Sequence, residues 1–89
     1  MVGHAGDGNL HPLVPYLPGD DASHARALTA LGNMVRVALL LGGTATGEHG
    51  VGLGKIQFMR EEHGASLDVM RSIKNLLDPN GILNPGKMF

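Results

Sequence analysis

Apolar residues recur at three- and four-residue steps over residues ~21–41, at Leu28, Leu31, Val35, Ala38 and Leu39. This spacing predicts a helix with one apolar face. Pro18-Gly19-Asp20-Asp21 precedes it as a turn, and either aspartate can cap the helix. Gly42-Gly43 ends it. A short helix is predicted over residues ~55–63, with Ile56, Phe58 and Met59 inward, and Gly64 stops it. A third helix is predicted over ~67–77, capped by Ser66, with Val69, Met70, Ile73, Leu76 and Leu77 on one side. Asp68 in its first turn and Arg71 and Lys74 later suit the helix dipole. Asp78-Pro79-Asn80-Gly81 is a turn signal.

Before the first helix the pattern changes. Leu10, Val14 and Tyr16 alternate in part, so Leu10–Tyr16 reads as extended. Pro12 and Pro15 lack donors and point to an edge or irregular strand. Met1–His4 reads as a stub, and Ile82–Phe89 as an extended tail. The expected fold class is α+β, with one or two strands and about three helices. So few strands leave sheet edges unpaired. The chain is therefore expected to be the C-terminal piece of a longer protein, and to self-associate when isolated.

Eighty-nine residues make at most one small domain. A chain of this size buries only about 60% of its unfolded surface. Its 43% apolar content is ordinary, but Tyr16, Phe58 and Phe89 are its only Phe, Tyr or Trp residues. Leu, Ile, Val, Met and Ala must fill the core. Seven basic and eight acidic residues give no electrostatic footprint for nucleic acid or an anionic membrane. The absence of cysteine excludes disulfides, thiolate catalysis and cysteine-based zinc sites. The longest apolar run, Val37–Leu41, is far short of the roughly 20 residues that span a bilayer. With no basic region and apolar run at its start, the chain is expected to be cytoplasmic, with peripheral membrane attachment only through the full-length protein.

Fourteen glycines are the outlying count, and they cluster at residues 3–8 and 42–54. Each cluster holds candidate ligands. His4 and His11 flank Gly6-Asp7-Gly8, and Glu48-His49 lies between Gly47 and Gly50. On one straight strand His4 and His11 would face opposite ways. The glycine turn can fold them toward one point, with Asp7 and Asn9 bonding inside it. Two imidazoles and a carboxylate can hold a divalent metal with positions left open for substrate. His49 can then accept a proton near neutral pH. The bland alternatives remain open at this point: two histidines beside a hairpin, and a solvated loop glutamate. His24 and His63 read as helix-surface residues. The spacing is not the helical His-Glu-x-x-His signature. Gly50-Val51-Gly52-Leu53-Gly54-Lys55 also fails the phosphate-loop pattern, because His49 stands where a glycine is needed and Ile56 where Ser or Thr is needed.

Three segments together resemble the C-terminus of FAD-linked 2-hydroxy-acid dehydrogenases. They are Gly3-His4-x-Gly6-Asp7-Gly8-Asn9-Leu10-His11, Gly47-Glu48-His49-Gly50-x-Gly52, and Leu77-Asp78-Pro79-Asn80-Gly81-Ile82-Leu83-Asn84-Pro85-Gly86-Lys87. Residues 47–64 look most similar to the D-lactate branch; the glycolate oxidase FAD subunit is the alternative. The resemblance implies that residues 1–89 are a fragment of a ferredoxin-like cap, without the FAD-binding domain and inactive alone. It implies that His4, His11 and Glu48 bind zinc or manganese, that His49 is the catalytic base, and that the tail with Asn84 and Lys87 returns toward FAD. The implied substrate is a small D-2-hydroxy acid, with cytochrome c or a quinone as electron acceptor. D-2-hydroxyglutarate enzymes carry a polar residue two places after the second histidine. Leu13 stands there in this chain, which favours a monocarboxylate. A non-catalytic metal-binding or oligomerisation module is the reading from a different class.

Overall fold

The computed structural model describes residues 1–88; Phe89, the last residue of the expected extended tail, lies outside the described residues. In chain order the elements are β1 (Val2–His4), β2 (Asn9–His11), α1 (Asp21–Leu40), α2 (Ile56–His63) and α3 (Ser66–Leu77). The fold is α+β, with one antiparallel two-stranded sheet. The chain divides into two compact units, Met1–Gly47 and a second beginning at Glu48.

In the first unit, the N-terminal stub is a strand. β1 pairs with β2 in the register Val2 to His11, Gly3 to Leu10 and His4 to Asn9. The turn between them is closed by backbone bonds, Asp7 N–H to the His4 carbonyl (3.0 Å) and Gly8 N–H to the Ala5 carbonyl (3.3 Å). The extended run expected to reach Tyr16 is a ladder only as far as His11. Pro12 follows immediately and has no N–H to donate.

Asp20 is the residue that caps α1, its carboxylate accepting from the Ser23 N–H at 3.0 Å. Ser23 in turn accepts from the Leu17 N–H at 3.1 Å, and the Tyr16 ring lies 4.6 Å from that of His24. These contacts fasten the incoming loop to the first turn of the helix. At the other end Gly42 has φ +81 and donates to the Leu39 carbonyl at 3.0 Å, while Gly43 donates to Ala38 at 2.8 Å. That is a Schellman ending, in which a left-handed residue satisfies two orphan carbonyls.

In the second unit α2 packs on α3. Phe58 and Met59 of α2 and Leu67 of α3 are buried. Arg60 ties the two helices together from outside, donating to both Asp68 carboxylate oxygens (2.8 and 3.1 Å) and to the Gly64 carbonyl (3.0 Å). This bond and the nearby positive charge hold the Asp68 carboxyl below its usual range. Ser66 is the first residue of α3 rather than its cap, and the cap position, Ala65, offers no side-chain acceptor. Much of the expected apolar face of α3 is open: Val69, Ile73, Leu76 and Leu77 are all exposed.

Candidate functional site

The hairpin register explains how His4 and His11 meet. Asn9 is opposite His4, and His11 lies two residues beyond Asn9. Residues two apart on a strand share a face, so His4 and His11 are diagonal neighbours across the ladder. Their rings stand edge to face with centroids 5.5 Å apart. One nitrogen of each lies within 4.8 Å of the other.

The second glycine cluster reaches this hairpin through Gly47. A Cβ placed on Gly47 would overlap the carboxamide of Asn9, coming within 2.6 Å of its Cγ. A side chain at 47 would therefore require the Asn9 carboxamide to shift. The Asn9 carboxamide thus lies beside Gly47. Glu48 is joined to Gly47 by one peptide bond and opens the second unit. Its Oε1 lies 3.4 Å from His49 Nε2, and the His49 side chain is 77% exposed.

The other sequence candidates occupy separate places. His24 stacks on Tyr16 at the start of α1 and is exposed, as its helix position suggests. His63 is only partly exposed, 4.0 Å from the Glu62 carboxylate. Asn84 and Lys87 line one shallow depression with Lys74 and Leu83. Asn84 has φ +46.

Asp78, which the sequence marks only as part of a turn, organises this tail. Its carboxylate is buried and receives the Lys74 ammonium, the Ile82 N–H (2.9 Å) and the Leu83 N–H (3.0 Å). Lys74 also donates to the Leu83 carbonyl at 2.6 Å. The Lys74 hydrogen bond, opposed by burial and helped by the two backbone donors, holds the Asp78 carboxyl below its usual range. The signal for this arrangement is the aspartate that opens Asp-Pro-Asn-Gly, since Asp accepts from N–H groups beyond its own turn.

Residues 1–88 match the family described as FAD linked oxidases, C-terminal domain. The chain belongs to that family. It is 47% identical over its whole length to a mitochondrial D-lactate dehydrogenase (cytochrome) of Saccharomyces cerevisiae, covering 15% of that protein. It is 44% identical, again over its whole length, to the mitochondrial D-lactate dehydrogenase (cytochrome) of Arabidopsis thaliana, covering 16% of it. Over 98% of the chain it is 43% identical to the glycolate oxidase subunit GlcD of Bacillus subtilis, covering 19% of that subunit. The chain thus spans less than a fifth of the length of these relatives. Within that family it is similar to D-lactate dehydrogenases and to glycolate oxidase subunits. Among the described residues no helix is long and apolar enough to cross a membrane.

Proposed function

We propose that this domain supplies the metal- and substrate-binding half of an FAD-dependent D-2-hydroxy-acid dehydrogenase acting on D-lactate. The observation that carries the reading is the convergence of His4 and His11 on one face of the hairpin, with their ring centroids 5.5 Å apart. The donor set of His4, His11 and Glu48, each offering one ligand atom, suits zinc or manganese. Such an ion would supply Lewis-acid polarisation of a bound hydroxyl and carboxylate, and FAD would supply the acceptor for the C2 hydride.

The chain's own residues then have distinct tasks. His49 takes the proton of the substrate's 2-hydroxyl. Its Nε2 lies 3.4 Å from the Glu48 carboxylate, which can orient the imidazole. The exposure of the His49 side chain leaves it accessible to substrate. Leu13 offers no polar partner to a second carboxylate, which supports a monocarboxylate. Asn84 and Lys87, on the tail held by Asp78, would contact FAD. The relatives named for a cytochrome support a cytochrome, rather than a quinone, as the electron acceptor.

The similarity to the glycolate oxidase subunit supports glycolate as a second reading. Turnover of D-lactate, L-lactate and glycolate by the full-length protein separates the two. The highest kcat/KM is expected with D-lactate. A preference for glycolate selects the second reading, and no turnover of any of the three overturns both.

A further inference from the structure

We propose that Asn9 is a positioning residue that sets where the chain enters Glu48. The proposal rests on the metal-binding role of His4, His11 and Glu48. Asn9 lies opposite His4 in the ladder and two residues before His11, so its backbone is fixed by the same hydrogen bonds that bring the histidines together. Its carboxamide fills the space where a Gly47 side chain would stand. Gly47 is the residue immediately before Glu48. Asn9 is therefore a gauge between hairpin and loop: it touches Gly47, and the next residue, Glu48, carries the carboxylate. A shorter side chain leaves the loop a gap to fall into. A larger residue at 47 meets the Asn9 carboxamide, so that either the carboxamide or the loop must shift. Either change alters where the chain enters Glu48 without removing a ligand. Supporting groups of this kind commonly govern metal affinity about 10–100-fold.

The test is a double-mutant cycle in the full-length protein with Gly47→Ala, Asn9→Ala and the pair together. Mn²⁺ affinity is read from loss of the free-ion EPR signal, and folding from circular dichroism. Gly47→Ala is expected to weaken Mn²⁺ binding about 10–100-fold with helix content unchanged. The double variant, in which the clash is relieved, binds Mn²⁺ more tightly than Gly47→Ala alone. Wild-type affinity in Gly47→Ala overturns the proposal, as does a double variant no tighter than that single one. A wild type that binds no Mn²⁺ overturns the metal role instead. Unfolding midpoints of the same four proteins then decide the Asn9–Gly47 contact, coupling between the two changes supporting it and strict additivity overturning it.

Discussion

Asp78 and Lys74 are paired across one helical turn at the end of α3, with the Asp78 side chain only 2% exposed. The carboxylate also accepts from two backbone N–H groups of the following segment, Ile82 and Leu83. One residue thus ends the helix, folds the turn and anchors the tail that carries Asn84 and Lys87.

Asp78→Ala removes these acceptors and leaves the Lys74 ammonium and two N–H groups without them. Three hydrogen bonds, one of them charge-assisted, are lost, so the melting temperature should fall by on the order of 5 °C or more. Differential scanning fluorimetry checks this. An unchanged midpoint would show that the tail is held by other contacts.

The two depressed carboxyls make the second unit sensitive to acid. Both Asp68 and Asp78 have folded-state pKa values below the ordinary carboxylate value of about 3.9. A lowered folded pKa contributes stability that is complete above the unfolded value and is lost as pH falls through the folded one. Stability from these pairs should be flat above about pH 5 and decline below about pH 4. Urea midpoints measured across pH 2–7 should show that decline in the wild type and less of it in Asp78→Asn. Equal slopes for the two proteins would contradict it.

For the proton step, His49→Ala should lower kcat in the full-length protein by about 10²–10⁴ while leaving metal content intact. Steady-state kinetics with D-lactate, alongside metal analysis, give both numbers. A near-wild-type rate would remove His49 from the chemistry.

Much of this arrangement is legible from residue pattern, and the parts that are not share a cause. The three helices follow from apolar spacing and from glycines at their ends, and Gly42-Gly43 does close α1. The meeting of His4 and His11 follows from a glycine turn between them. β1 is harder to see, because three residues carry no period and the strand exists only through pairing with β2. Ser66 has the chemistry of a cap but sits one place inside the helix. The Asn9–Gly47 contact joins positions far apart in sequence, and neither residue type names its partner. Asp78 is found as a turn former, whereas its hold on Lys74 and Leu83 depends on how the tail returns.

The proposed function requires His4, His11 and Glu48 to hold one metal ion. Elemental analysis of the full-length protein against its Glu48→Gln variant tests it most directly, since the amide keeps the shape of the carboxylate and loses its charge. One zinc or manganese ion per chain in the wild type, and a large loss in Glu48→Gln, is the predicted result. No metal in the wild type, or the same content in both proteins, would contradict it.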